Sequence, residues 1–199
     1  MAHNKEVEIK WNAEKVSRTS FNSEVLNHLR KNALDYELIT VSGFDYYYSS
    51  KQGYVARHRS GGGSNELTTK SRLSKTTITI RKEINIKLPV EVSPLEIKEL
   101  MFELGFRKVL PIFKICDIYV IQDGKCTVDI VWYIASCRKK PSVTLVEVEV
   151  HGASPTKSLK ILNKWKKLLL KLHLTDKQII PDSLYEIFSG KRYLMAKGK

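Results

Sequence analysis

Two short stretches near opposite ends of the chain constrain it most. In Glu6-Val7-Glu8-Ile9-Lys10-Trp11, charged and apolar residues alternate without a break. Side chains along a strand point to opposite faces with a period of two, so Glu6, Glu8 and Lys10 share one face and Val7, Ile9 and Trp11 the other. The stretch from Val143 to Val150 repeats the pattern, with Glu147 and Glu149 on one face and Val146, Val148 and Val150 on the other. The apolar faces need a core. The charged faces carry carboxylates two residues apart, which repel one another unless basic neighbours or a cation lie between them, and a hard metal ion is a common remedy. Either stretch alone also fits a solvated edge strand; their recurrence favours two strands supplying one site.

Between them the chain reads as helix, meander, helix and hairpin. Thr19 or Ser20 is placed to cap a helix carrying Phe21, Val25, Leu26, Leu29, Ala33 and Leu34 at helical spacing. Extended patterns follow at 37–49, 53–60, 65–73 and 75–88. In the last of these Ile78, Ile80, Ile84, Ile86 and Leu88 alternate with Thr79, Arg81, Glu83, Asn85 and Lys87. Pro94 opens a helix that Gly105 ends. Strands return at 106–122 and 125–134, joined by Asp123-Gly124, a hairpin turn signal. After the charged strand at 143–150, Ser154-Pro155 opens a helix with Leu159, Leu162, Trp165, Leu168, Leu169 and Leu172 on one side and lysines on the other, and a shorter helix follows at 181–188. We read the lysines as solvated and the apolar side as packed on the sheet; a basic amphipathic helix can also bind membranes or acidic partners.

Eight mostly antiparallel strands predict a closed barrel, because closure removes exposed edges. The expected class is α+β: an eight-stranded antiparallel barrel formed by residues 4–151, helices packed outside it, the C-terminal ones at 154–190, and one domain over 1–199. The charges fall in phase, including Arg57 and Arg59, Lys70 and Arg72, Arg81 and Glu83, Lys114 and Asp129. With the apolar faces outward against helices, these charges line a tunnel. Carboxylates there can hold one or two divalent cations through oxygen, and lysines and arginines can grip phosphate oxygens. Lys and Arg total 34 against 21 Asp and Glu, a formal charge of +13 that favours a polyanionic partner. An enclosed site suits a linear polyphosphate better than a flat nucleic-acid surface. The three cysteines, Cys116, Cys126 and Cys137, have no CxxC spacing and read as reduced thiols in a cytoplasmic compartment. The charged N-terminus and the lack of a long apolar run predict neither a signal peptide nor a membrane span.

Across nearly its whole length the chain resembles the CYTH superfamily of triphosphate tunnel metalloenzymes. Glu6-Val7-Glu8-Ile9-Lys10 is similar to the ExExK signature, Asp45-Tyr46-Tyr47-Tyr48 to a D-x-Y-Y segment and Arg57-His58-Arg59 to R-x-R. Lys70, Arg81-Lys82-Glu83, Lys114, Val128-Asp129 and Glu147-Val148-Glu149 continue the pattern in order. Two departures stand out. Lys114-Ile115-Cys116 occupies the place of K-x-R, so one arginine is replaced by cysteine, with Arg107, Lys108 or Arg72 as conceivable substitutes, and Ser49 stands where many members have Asp.

The resemblance implies a metal-dependent hydrolase of a triphosphate: inorganic, nucleoside or thiamine triphosphate, or an RNA 5′ end. It implies Mg²⁺ or Mn²⁺ held by Glu6, Glu8, Glu147 and Glu149, with Asp129 and Glu83 next. Phosphates would be held by Lys10, Arg57, Arg59, Lys70, Arg81 and Lys114. Similarity to thiamine triphosphatases suggests Lys10 and Tyr47 as a catalytic dyad, on the premise that surrounding cations lower the lysine's proton affinity. His58, between two inward arginines, points outward and takes no role. A class IV adenylyl cyclase making cyclic AMP from ATP is the first alternative. A non-catalytic binder of polyphosphate or RNA 5′ ends is the second, and retention of the acids argues against it.

Overall fold

The computed structural model describes residues 5–72, 78–124, 126–138, 140–152 and 154–190. Among these residues eight strands form the frame: β1 (Lys5–Asn12), β2 (Tyr36–Ser50), β3 (Val55–Gly61), β4 (Ser64–Arg72), β5 (Thr79–Lys87), β6 (Phe106–Asp123), β7 (Cys126–Cys137) and β8 (Lys140–His151). They pair antiparallel in the order β1-β5-β4-β3-β2-β6-β7-β8, and β8 pairs back onto β1, so every strand has two neighbours. Among the described residues four α-helices complete the α+β architecture: α1 (Arg18–Lys31), α2 (Pro94–Glu103), α3 (Pro155–Leu169) and α4 (Leu184–Ser189). The side chains of Glu6, Lys70, Arg72, Arg81, Glu83 and Lys108 lie outside the described residues, as do residues 73–77 of the expected strands and Lys125.

Register explains which faces are buried. Glu8 pairs with Glu149 and Lys10 with Glu147, so Val7, Ile9 and Trp11 come out on the same side as Val146, Val148 and Val150. Against that outer face lie Phe21, Val25 and Leu29 of α1 and Leu162, Trp165, Leu168 and Leu169 of α3, all essentially inaccessible to water. This is the main core. Truncating a side chain such as Trp11 to alanine costs about 3–5 kcal/mol in such a setting. The lysines of α3 stay outside, where Lys164 pairs with Asp123 at 2.7 Å and Lys166 pairs with Asp176.

Three features depart from the sequence reading. The N-cap of α1 is Ser17, not Thr19 or Ser20: its hydroxyl accepts the Ser20 backbone N–H at 3.1 Å, which puts both expected caps inside the first turn. The earlier start brings Arg18 onto buried Asp117, at 2.5 and 2.6 Å. Second, not every apolar outer face is covered. Ile84 and Ile86 of β5 remain 50% and 52% exposed, because α1 and α3 sit over β1 and β6–β8 while α2 packs on β3 and β6. Third, α4 does not lie on the outside. Leu184, Tyr185 and Phe188 pack with Ile112, Tyr133, Ala135 and Leu145, the apolar end of the inner faces of β6, β7 and β8, which would otherwise open to water. A buried capping box, in which Ser183 and Glu186 satisfy each other's backbone N–H groups, fixes the start of α4 there.

Candidate active site

The inner faces of the strands enclose a cavity of about 440 Å³. Of the residues singled out from sequence, Glu8, Lys10, Tyr47, Arg57, Arg59, Lys114, Asp129, Glu147 and Glu149 all line it, with Ser183 and Leu184 of the α4 end and the glycine-rich β3–β4 turn on its wall. At that turn two backbones nearly touch: a Cβ on Gly43 would lie 2.7 Å from the Ser60 carbonyl, and Gly61 has φ +115°, so only glycine fits the pair. For Glu6, Lys70, Arg81 and Glu83 the register alone is described, pairing Glu6 with Arg81 and Lys70 with Glu83.

The acidic residues divide into two groups. Across β1, β8 and β7 the register places Glu8, Glu149 and Asp129 in one row, and the next row holds Lys10, Glu147 and Val131. In that second row, Lys10 Nζ lies 2.9 Å from Glu147 Oε1 and 3.7 Å from Glu8 Oε1, and donates to the Asp182 carbonyl at 3.4 Å. Tyr133, fully buried, donates its hydroxyl to the same Glu147 oxygen at 2.6 Å, and Lys114 Nζ sits 4.1 Å from the centre of the Tyr133 ring. Burial works to raise the Glu147 carboxyl, but Lys10, aided by Lys114 and the Tyr133 hydroxyl, outweighs burial and the Glu8 charge and holds it below the ordinary range. Burial first, then the charge of Glu147, pushes the Tyr133 phenol well above its usual value, so it stays a donor.

The Lys10–Tyr47 pair expected from the resemblance presupposes cations around the lysine. Among the described residues, the carboxylates of Glu147 and Glu8 lie against Lys10, and such neighbours favour an ammonium. Tyr47 lies in the same cavity with its ring 6.0 Å from that of Tyr185. Tyr133 is joined to Lys10 through the shared carboxylate of Glu147.

On the opposite wall, Arg59 makes a two-pronged pair with Asp45, Nε to Oδ1 at 2.9 Å and Nη2 to Oδ2 at 3.2 Å. Burial would raise the Asp45 carboxyl, yet Arg59, Arg57 and Lys114 hold it far below the usual carboxylate value. Arg57 reaches Thr68 Oγ1 at 3.1 Å and Glu66 at 3.4 Å. Cys116 lines the wall near Lys114 and Arg59, and burial pushes its thiol up, so it stays a neutral thiol. Arg107 does not replace the missing arginine: it is exposed and donates to the carbonyls of Phe102 and Phe106. His58 points outward as expected, buried against Tyr46 and bonded to Asn65 at 2.7 Å.

Sequence reasoning missed Tyr133, His151 and Glu66. Each continues an inner-face series at intervals of two: Asp129, Val131, Tyr133; Glu147, Glu149, His151; Glu66, Thr68. At the His151 end of the row, His151 Nε2 lies 3.2 Å from Asp129 Oδ2 and 3.7 Å from Glu149 Oε2, and the three can bring ligand atoms within 4.8 Å of one another. Asp129 Oδ1 is buried and accepts no hydrogen bond among the described residues. A carboxylate oxygen withdrawn from water without a donor is costly, and a divalent cation there would satisfy it. The donor set therefore fits a metal ion.

No helix among the described residues is long and apolar enough to cross a membrane. No curated protein sequence matches the chain. Among solved structures, the PH1012 protein of Pyrococcus horikoshii OT3 aligns over 91% of this chain and 98% of its own at 18% identity and a TM-score of 0.63. A proposed adenylate cyclase of Vibrio parahaemolyticus aligns over 94% and 99% at 16% identity and a TM-score of 0.63. An RNA triphosphatase of S. pombe aligns over 74% and 70% at 14% identity and a TM-score of 0.43. At these identities the likeness to the first two structures speaks of the fold alone. The model of the CYTH domain matches residues 4–184, a span that takes in the strand ring and the start of α4, and the chain belongs to that family.

Proposed function

We propose that the chain is a metal-dependent phosphohydrolase acting on a triphosphate, with residues 1–199 working as one unit. The observation that carries this is the division of a single cavity: Arg57, Arg59, Lys114 and Lys10 supply positive charge, and the row Glu8, Glu149 and Asp129 faces into the same space. A pure anion binder would gain from losing that acidic row, whereas phosphoryl transfer needs both, because charge builds on the transferred group and must be neutralised from several sides.

In this reading Asp129, Glu149 and Glu8 hold Mg²⁺ or Mn²⁺, with Glu6, Glu83 and Glu147 as further acidic candidates. The bound ion would offset charge on the triphosphate oxygens and help orient them. Arg57 and Arg59 bind phosphate oxygens, and Asp45 fixes the guanidinium plane of Arg59 while leaving it donors to spare. Lys114, Lys70 and Arg81 add further cations. Lys10 presents an ammonium held between Glu8 and Glu147, so we assign it phosphate binding, not proton abstraction, and Tyr47 a place on the wall beside it. With α4 filling one end, the cavity suits the end of a phosphate chain. The thiols of Cys116, Cys126 and Cys137 are all free, in keeping with a reducing, cytoplasmic setting.

The test is phosphate release from inorganic triphosphate, ATP, thiamine triphosphate and a 5′-triphosphorylated RNA, with cyclic AMP measured in parallel. Orthophosphate from at least one substrate is expected. Cyclic AMP with pyrophosphate from ATP would replace this reaction by a cyclase on the same site, and tight triphosphate binding without any product would make the chain a binder.

A further inference from the structure

His151 is the one histidine within reach of the acidic row among the described residues, and it ends β8 in phase with Glu147 and Glu149. We propose that its imidazole is a metal ligand, and that the site therefore selects Mn²⁺ over Mg²⁺. The inference rests on the metal-dependent reading above and deepens it.

Two arguments support the assignment. The first is geometric. An octahedral ion with bonds of about 2.1–2.2 Å holds adjacent ligand atoms about 3.0–3.1 Å apart. The separations of His151 Nε2 from Asp129 Oδ2 and Glu149 Oε2, 3.2 and 3.7 Å, come close to that spacing before any ion has drawn the groups together. Asp129 Oδ1, buried and without a hydrogen-bond donor among the described residues, lies at the same corner, where a cation would satisfy it. The second argument is chemical. Mg²⁺ demands oxygen ligands and keeps its waters, whereas later divalent ions accept imidazole, and affinity for a mixed nitrogen and oxygen site rises from Mn²⁺ through Co²⁺. A nitrogen in the donor set is thus a bias against Mg²⁺. An all-carboxylate site carries no such bias.

The competing account is a plain ion pair, with a protonated His151 between Asp129 and Glu149. The two accounts differ in metal binding without substrate. Mn²⁺ affinity is measured by loss of the free-ion electron paramagnetic resonance signal, Co²⁺ by its visible absorption, and Mg²⁺ by competition against Mn²⁺. The wild-type protein is compared with His151→Ala and His151→Asp; the side chain is 35% exposed, so both are expected to fold, and circular dichroism and melting curves check this. His151→Ala should weaken Mn²⁺ and Co²⁺ binding by about tenfold or more and alter the Co²⁺ spectrum, with Mg²⁺ affinity changed by less than about twofold. His151→Asp, restoring an oxygen set, should raise Mg²⁺ affinity and erase the preference. Folded His151→Ala with unchanged Mn²⁺ and Co²⁺ affinity, or wild type binding Mg²⁺ as well as Mn²⁺, overturns the proposal. Its failure is separable from that of the hydrolase reading. Phosphate release without any His151 dependence of metal binding refutes the ligand assignment alone; His151-dependent Mn²⁺ binding without phosphate release refutes the hydrolase alone.

Discussion

Replacing Tyr133 by Phe tests the buried knot beneath the cavity with the loss of one oxygen atom. In the native protein Glu147 Oε1 accepts from Lys10 at 2.9 Å and from Tyr133 at 2.6 Å, and all three side chains are nine-tenths or more buried. A hydrogen bond to a charged group of this kind contributes about 1.5–3 kcal/mol. The ring stays, so packing and the contact with Lys114 survive and no cavity forms. Tyr133→Phe should therefore lower unfolding free energy by about 2 kcal/mol at neutral pH and the melting temperature by about 4–8 °C.

The pH dependence makes the test specific. Because the Glu147 carboxyl is held below its ordinary value of 4.5 in the fold, the stability it contributes is complete above that value and is lost as pH falls through the folded value. Once the carboxyl is protonated, the phenol loses only a bond to a neutral group, about 1 kcal/mol. The gap between wild type and Tyr133→Phe in urea denaturation should therefore be widest at neutral pH and shrink in acid. Repeating the change on a Glu147→Gln background should give the smaller cost at every pH. A cost that does not vary with pH, or that is undiminished when Glu147→Gln is also present, would show that Tyr133 acts through packing and not through the carboxylate.

Other expectations follow from the same contacts. Arg57→Ala or Arg59→Ala should cost a few kcal/mol of substrate affinity or turnover, as for charge-assisted contacts away from water, while Lys166→Ala on the outer helix leaves phosphate release unchanged. Glu8→Gln and Glu149→Gln, neighbours in one row, should each remove most turnover and metal binding, with the double change hardly worse, because groups acting on one ion are not additive. Asp117, held down to about 2 from 3.8 first by the hydrogen bond from Arg18, ties α1 to the sheet. With Arg18 half exposed, Asp117→Asn should cost about 1–2 kcal/mol at neutral pH, a difference in urea midpoints that closes as pH falls from 3.8 toward about 2. Mn²⁺ with inorganic triphosphate should raise the melting temperature through binding to the folded state, and no shift at all would count against the site.

The alternation in β1 and β8 disclosed both the strands and their inner face, and the resemblance supplied the family, because each depends on residues a short distance apart in the chain. The position of α4 was not legible: Leu184, Tyr185 and Phe188 read equally well as the buried side of a surface helix, and only the apolar end of the ring at Ile112, Tyr133, Ala135 and Leu145 draws them inward. The roles of the acids were hidden for a different reason. Within the strand, Glu147 and Glu149 are equivalent, each flanked by valines and facing the same way. They part only because Lys10 stands opposite the first and Glu8 opposite the second. A slip of one residue between β1 and β8 would turn Trp11 inward and is forbidden by the hydrophobic pattern. A slip of two would keep Val7, Ile9 and Trp11 outward with Val146, Val148 and Val150 while moving Lys10 opposite Glu149 or Leu145. The pattern of hydrophobicity thus chooses the face of each carboxylate, and the long-range register, set by how the whole ring closes, chooses which of them meets a lysine and which meets another carboxylate.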